Sequence, residues 1–573
     1  MTPVSLAFIC MQLLRAPMLV TPGFCLVLCG FQETSHLNIP DENRILFKNE
    51  IDSSHIAFEH FAGRTGKHLI IETIASGFAT FDYDQDGWID IYFLNGSPIE
   101  GFEYAPEMVT NLKREMPSNQ LYRNAGNMQF VNVTASSGLG DLAHSVGVTV
   151  SDINSDGFPD VFVCNYGHNE LFLNLGDGTF DRRVFETSTK EARTAGGACF
   201  FDLDKDSNLD LFVANYLKFD INKKIVRTIF GVEASAGPLD YIPDDDSLFL
   251  NRGDGSFSDI SESSLIVGDP KTGMATLAFD FDENGFQDVF VCNDTLPNKL
   301  YLNHGKGTFS EEALLSGVAL NYAGATMASM GTDCADYDND GKLDLIVSNY
   351  ENEVPTLYKG LGNGLFDDVA VMSGLGTANR SVKWGISFSD FDNDSILDLY
   401  IATGHVIDTV SSLNDTSHFA SKNLLFQGTA KGKFKDVTQS SGPGLQEVKV
   451  SRGVCVDDLD NDGLLDIVVL NSNSRPSLLR NESQKKNHWI QIRTVGTSSN
   501  RDGVGALVKV RFGTAMRVTG VFSSRGYQSY YGRNVHIGLG TYQGPVEVEI
   551  VWPSGESKVY HNLSIDKLHT LYE

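Results

Sequence analysis

Seven stretches of this chain place carboxylates at alternate positions of a nine-residue frame, D-x-[DN]-x-[DN]-[GS]-x-x-D. In chain order the frame positions are Asp82, Asp84, Asp86, Asp90; Asp152, Asn154, Asp156, Asp160; Asp202, Asp204, Asp206, Asp210; and Asp280, Asp282, Asn284, Asp288. Then come Asp336, Asp338, Asp340, Asp344; Asp390, Asp392, Asp394, Asp398; and Asp458, Asp460, Asp462, Asp466. A hard divalent cation takes six to eight oxygens at about 2.3–2.6 Å, and alternate carboxylates of a tight loop turn inward together. In the first loop Asp82, Asp84 and Asp86 are expected to give side-chain oxygens. The residue after Gly87 would give a carbonyl, and Asp90 would close the shell. Every frame position is therefore expected to be a Ca²⁺ ligand. Glycine at the sixth place permits the positive φ that wraps the chain around an ion. Ser207 and Ser395 replace that glycine, while Asn154 and Asn284 each remove a charge. Those four loops are expected to bind more weakly than the loops at Asp82, Asp336 and Asp458. A single string of this kind is a weak signal, but seven in one register make solvated turns a poor explanation.

The flanks show what must hold these loops. Five residues before the first Asp stands Gly77, Gly147, Gly197, Gly331, Gly385 or Gly453, with Ala275 in the fourth copy. Directly after the last Asp runs a β-branched and aromatic stretch such as VFVCN or LFVAN, the composition of a short buried strand. A further strand follows, ending in LYRN, LFLN, LYLN, LYKG, LLFQG or LLRN. In six copies a Gly-rich turn and a Phe come next, as in NLGDGTF from Asn174. Each unit thus reads strand, acidic loop, strand, strand, turn, strand. Successive loops begin 50 to 78 residues apart, so insertions interrupt a common unit. The fold class expected is all-β: a seven-bladed β-propeller over 45–484, with a small β-sandwich or barrel domain over 485–573.

The 573 residues carry a formal net charge of −30, with 74 acidic against 44 basic side chains. Such a surface repels phosphate backbones, so no nucleic-acid partner is expected. Seven Ca²⁺ ions would add +14 and bring −30 to −16, which explains much of the acidity as ligand. Eight cysteines include Cys10, Cys25 and Cys29 near the start; the other five are dispersed without a CxxC pair, and read as small buried hydrophobes. Residues 1–31 read as an export signal: Met18–Phe31 is uncharged, follows Arg15 and is too short to span a bilayer. LVLCG makes Cys29 a candidate lipid anchor. No transmembrane span is expected, and the location is exported: extracellular, periplasmic or cell-surface.

The loops and the G-x-G-x-F turns resemble the FG-GAP (VCBS-type) repeats of integrin α-subunit propellers, over about 45–484. NHWIQIRTVGTSSNRDGVGALVKV from Asn487, HIGLG from His536 and VEIVWPSGE from Val548 resemble the ASPIC/UnbV domain. This pairing is the organisation of the cartilage acidic protein family. The resemblance implies an extracellular calcium-binding module for adhesion or ligand binding, with a protein or glycan partner, and no reaction.

Read without the family, the C-terminal runs WIQIRTV, ALVKVRF and VEVEIVW alternate apolar and polar residues between Gly and Ser turns. Ser499–Ala506 reads as a tight loop in which Arg501 and Asp502 could engage the propeller, a partner or only each other. Long insertions at Gly96–Asn119, Tyr216–Asp246 and Gly404–Asn423 start at equivalent places and should share one face; their aromatics Phe102, Tyr104, Phe230 and Tyr241 are candidate contacts or packing. Arg252-Gly253-Asp254 lies inside the repeated turn, which accounts for it without an adhesive role. No catalytic motif occurs, and His60, His68, His405 and His536 read as packing or surface residues. The alternative function is an exported enzyme, acting on glycans, with its site in the axial funnel of the ring.

Overall fold

The computed structural model describes residues 44–65, 69–74, 76–99, 116–185, 193–220, 225–229, 232–412 and 416–573. The export signal, Cys29, Phe102, Tyr104, Phe230 and His68 lie outside them. The chain divides into Met1–Asp41 and Glu42–Glu573, and all the described residues belong to the second unit.

The repeated pattern folds as antiparallel sheets of four strands each, the second and third joined into one eight-stranded sheet where Arg193 and Thr194 pair with Gly167 and Tyr166. In the second, for example, His144–Ser151, Asp160–Gly167, Glu170–Asn174 and Phe180–Val184 pair in sequence order. The innermost strands are Phe78–Phe81, His144–Ser151, Arg193–Phe201, Gly273–Phe279, Thr332–Ala335, Lys383–Ser389 and Ser451–Asp457. They neighbour one another in that order, and the last returns to the first, so the sheets close into a ring: an all-β propeller. The seventh repeat lacks the Gly turn and Phe, and its fourth strand is Phe47–Asn49 from the chain start, paired on Ser477–Asn481. Phe47 is fully buried there, its ring 5.3 Å from Phe391.

Apolar side chains on facing surfaces of adjacent sheets interdigitate. Phe81, Tyr92, Val148, Val150, Val163 and Phe172 form one such layer between the first and second sheets. Each buried side chain of this size contributes about 1.5–3 kcal/mol. All five described cysteines are free and buried, as their apolar strand context requires.

The C-terminal domain is a sandwich of two sheets. Val535–Gly540, His488–Val495 and Leu568–Tyr572 form one; Ala515–Gly520, Leu507–Phe512, Val546–Val551 and Ser557–Leu563 form the other. The sandwich is not wholly antiparallel, because His488–Val495 runs parallel to Leu568–Tyr572.

Between its strands the domain sends Val521–Gly532 into the axis of the ring. Ser523 Oγ donates to Phe200 O, Ser524 Oγ to Thr276 O, and Thr149 Oγ1 to Ser523 O. Gly526 and Thr332 exchange backbone hydrogen bonds, as do Tyr530 and the Phe78–Thr80 segment. This explains the glycine five residues ahead of six of the loops, where the fourth has the next smallest residue, Ala275. A Cβ at Gly77 would lie 1.6 Å from Gln528 O, and one at Gly331 2.6 Å from Trp384 O. The axis has no room for side chains where strands and inserted segment meet. Behind it Ile70, Ile71, Ile74, Met274, Met330 and Trp384 pack on Tyr527. The funnel that an enzyme site of the alternative reading would occupy is therefore filled along this stretch by the chain's own residues.

Candidate metal centres

Each acidic loop joins an innermost strand to the strand that its ninth residue opens, as Asp90 opens Asp90–Phe93. The loop is wound by its own backbone. The sixth residue donates its N–H to the first Asp: Gly87 to Asp82 Oδ2 at 3.2 Å, Gly341 to Asp336 Oδ2 at 2.9 Å, Ser395 to Asp390 Oδ2 at 2.7 Å. The seventh donates to the fifth, as Trp88 to Asp86 Oδ1 at 2.9 Å. The sixth residue has positive φ as expected, 90° at Gly87 and 74° and 76° at Ser207 and Ser395. The fourth residue is left-handed too: Gln85, Ser155, Lys205, Glu283, Asn339, Asn393 and Asn461 all have φ between 56° and 65°. Two left-handed residues two apart produce the tight wrap.

Carboxylate oxygens of Asp82, Asp84 and Asp86 lie within 4.8 Å of one another, as do those of Asp202, Asp204 and Asp206, and of Asp336, Asp338 and Asp340. Asp280, Asp282 and Asp288 converge likewise, and so do Asp390, Asp392 and Asp398. In the second loop Asp156 Oδ2 accepts from Asn154 Nδ2 at 2.9 Å, and in the seventh Asp458 accepts from Asp462 and Gly463 N–H.

The ninth Asp has a further duty. Asp90 Oδ2 accepts Tyr83 N–H at 3.1 Å and its Oδ1 accepts Asn124 N–H at 2.7 Å. The same pair of bonds recurs at Asp160, Asp210, Asp288, Asp344, Asp398 and Asp466. This residue staples the loop to the third strand, and any ligation uses its remaining lone pairs. The asparagine ending that strand clamps neighbouring sheets. Asn174 Nδ2 donates to Tyr83 O, Asn251 to Ile153 O and Asn303 to Leu203 O, each at 2.8–2.9 Å. Its recurrence in LYRN and LFLN was visible in the sequence, but its role was not.

Two observations fit these loops to a cation. First, Oδ1 of Asp82, Asp202, Asp280, Asp338 and Asp460 is buried without a hydrogen-bond partner, a costly state for a carboxylate. Second, burial pushes the carboxyls up: to about 6 for Asp202, Asp280 and Asp336, to about 7 for Asp152 and Asp458, and to about 8 for Asp160, Asp210 and Asp344. Crowded carboxylates of low solvation require a counter-charge or protons. At three loops basic side chains supply part of it. Arg123 and Arg493 approach Asp84 and Asp82 at 3.8 and 3.7 Å. Lys359 contacts Asp338 and lies 2.9 Å from Asp340. Arg480 and Lys485 sit 2.6 and 3.0 Å from Asp460 and Asp462. A cation would fit the donor set as a hard-oxygen site, with the first, third and fifth side chains as its main holders.

The C-terminal domain covers this loop face. Arg493 reaches the first loop, and Asp502 Oδ2 accepts Asp152 N–H at 2.8 Å in the second. Ser207 Oγ donates to Ser498 O in the third and Gln287 Nε2 to Val504 O in the fourth. Met516 lies against Gly341 in the fifth, and Gln491 Nε2 is 3.3 Å from Asp458 Oδ2 in the seventh. Asp502, paired with Arg533 at 2.9 Å, thus engages the propeller. Between the domain and the fourth and fifth sheets lies a cleft of about 420 Å³ walled by Phe279, Phe281, Phe366 and Trp552.

Of the other sequence candidates, Tyr241 packs beside Phe219, with ring centroids 6.0 Å apart. His60, buried against Ser76, and His405, beside Tyr350, are packing residues. Asp254 caps its own turn through Ser256, as the repeat accounts for it.

The comparisons agree with this geometry. Residues 82–163, 152–213, 280–347 and 336–401 match the FG-GAP-like repeat, and 496–573 match ASPIC and UnbV. The chain is an FG-GAP-repeat propeller protein carrying an ASPIC and UnbV domain. Among curated relatives it is similar to cartilage acidic protein 1 of Mus musculus, 23% identical over 458 residues, covering 75% of this chain and 64% of that one. The Homo sapiens protein of that name is 24% identical over 532 residues, covering 87% and 71%. The match thus spans somewhat under two thirds of the mouse protein. A solved Agrocybe aegerita lectin, described as recognising non-reducing terminal N-acetylglucosamine, aligns with TM-score 0.35 and 15% identity over 62% of this chain and 78% of its own. Among the described residues no helix is long and apolar enough to cross a membrane.

Proposed function

We propose that this chain is an exported calcium-binding propeller that presents an interaction surface to an extracellular protein or glycan. The observation that carries it is the recurrence, in loop after loop, of converging carboxylates with buried, unpartnered oxygens. Calcium held by Asp82, Asp84, Asp86 and their counterparts would supply the counter-charge those groups lack. In this reading its role is structural: it would stiffen the face on which the C-terminal domain sits. The relatives' family supports an extracellular setting, and residues 1–31 supply the export signal. Domain limits of 45–484 and 485–573 are part of the proposal.

Chelation tests it. Ions held only by the folded state stabilise it by mass action, so excess chelator should lower the melting temperature by several degrees and added Ca²⁺ should restore it. An unchanged melt after verified metal removal refutes the structural role. A matrix-protein and glycan array, probed with and without chelator, should show binding that requires calcium.

A further inference from the structure

The sixth loop differs from the others in what lies over it. Asp390, Asp392 and Asp398 are 4%, 6% and 2% exposed; Asp392 is the only buried third-position residue, since Asp84, Asn154, Asp204, Asp282, Asp338 and Asp460 all reach solvent, and Asp394 at the fifth position is half-buried. The carboxylates converge within 4.8 Å; the basic side chain beside them is Arg517, whose charge acts on Asp390 and Asp394 but which spends its Nε on Ser395 O and makes no ion pair with Asp390, Asp392 or Asp398. Ser395 Oγ, in the same loop and 8% exposed, has no partner. One guanidinium does not balance three carboxylates in such a place, so they take up protons or a further cation.

The cover is the C-terminal domain. Gly540 N–H donates to Asn393 O at 2.8 Å, and His536 Nε2 lies 2.7 Å from Asn393 Oδ1. Arg517 Nε donates to Ser395 O at 2.8 Å, and Asn487 Nδ2 to Asp392 O at 2.8 Å. The closest approach is at Gly538, where a Cβ would stand 2.0 Å from Asp390 Oδ2 and 2.7 Å from Asn393 Cα. Only glycine lets this strand lie flat on the loop.

We propose that the sixth loop holds an occluded divalent cation, sealed in by the strand Val535–Gly540. The ion enters before the C-terminal domain seats and leaves only when that domain lifts, so it acts as an interdomain lock. This rests on the calcium reading above and goes beyond it in assigning one site a trapped ion and a lid. Composition ranks the loop among the weak binders because Ser395 replaces glycine; the lid makes its ion the slowest to exchange.

The test uses the full chain loaded with ⁴⁵Ca²⁺, diluted into excess unlabelled Ca²⁺, with retained label counted after rapid desalting. One equivalent should leave at least ~100-fold more slowly than the rest, since its release needs a local opening. Asp392→Asn should abolish that equivalent alone. Gly538→Ala should move it into the fast phase. Should Gly538→Ala fail to fold, His536→Ala, which removes one lid contact without adding bulk, should quicken the slow phase. Label that binds and leaves in one fast phase overturns the inference and spares the calcium reading. A slow phase unchanged by the lid variants also overturns it. No bound label at the outset refutes the calcium reading and the inference together.

Discussion

Replacing Arg525 by alanine should strip the axis of a buried ion pair. Arg525 Nε donates to Asp333 Oδ1 at 2.7 Å and Nη2 to Oδ2 at 3.0 Å, a bidentate contact. Asp333 is 0% exposed, and its remaining partners are the Cys334 and Phe388 N–H groups and the Tyr531 hydroxyl. The guanidinium also lies 4.9 Å from the Tyr531 ring centroid. Removing one member of a buried pair leaves the other charge uncompensated and costs about 3–5 kcal/mol. With an unfolding entropy of roughly 2.1 cal/mol/K per residue, a unit the size of Glu42–Glu573 loses about 1 °C per 1.1 kcal/mol. Arg525→Ala should therefore lower the melting temperature by about 3–5 °C in calcium-saturated protein, measured by differential scanning calorimetry. Adding Asp333→Asn should recover part of the loss, because the stranded charge is then gone. A melt within about 1 °C of the parent, or a double variant worse than the single, would refute the claim that this pair pins the inserted segment.

Other named contacts carry consequences of the same kind. Lys359→Met should raise the calcium affinity of the fifth loop several-fold by calorimetry, because Lys359 now occupies Asp338 and Asp340; an unchanged or weaker affinity argues against that competition. Gly87→Ala should destabilise the first loop by about 1–2 kcal/mol, since φ is 90° and a Cβ there meets nothing within 4 Å, leaving backbone strain as the whole effect; a neutral change would show the turn relaxes freely. Burial opposes ionisation of Glu573, but Ser554 Oγ and the Ser499, Thr497 and Ser498 N–H groups outweigh it and hold the carboxyl at about 2. Its folded value lies below the unfolded one, so its stabilisation is present above about pH 4.5 and lost as pH falls towards 2. Glu573→Gln should flatten that part of the acid-unfolding profile, and an identical profile would contradict the assignment.

Much of this was legible in the residues because the repeat writes one strand pattern and one loop seven times. The absent Gly turn after Asn481 was visible too, but that Phe47–Asn49 supplies the missing fourth strand appears only in the fold. What was not legible depends on partners distant in sequence. Gln85, Lys205 and Glu283 carry no compositional sign of a left-handed backbone; the hydrogen bonds around them impose it. Only the closed ring gives Ser523–Gly532 an axis to fill. The glycines ahead of six of the loops were visible as a repeat, but their cause is crowding at that axis.

Counting metal tests the central claim most directly. The full chain, stripped with chelator, re-equilibrated in Ca²⁺ and desalted, should carry several calcium equivalents by inductively coupled plasma mass spectrometry. Asp82→Ala, Asp336→Ala and Asp458→Ala should each remove about one of them, the first Asp being a main holder in each loop. Less than one equivalent in the folded parent, or a count that the three substitutions leave unchanged, would contradict the account.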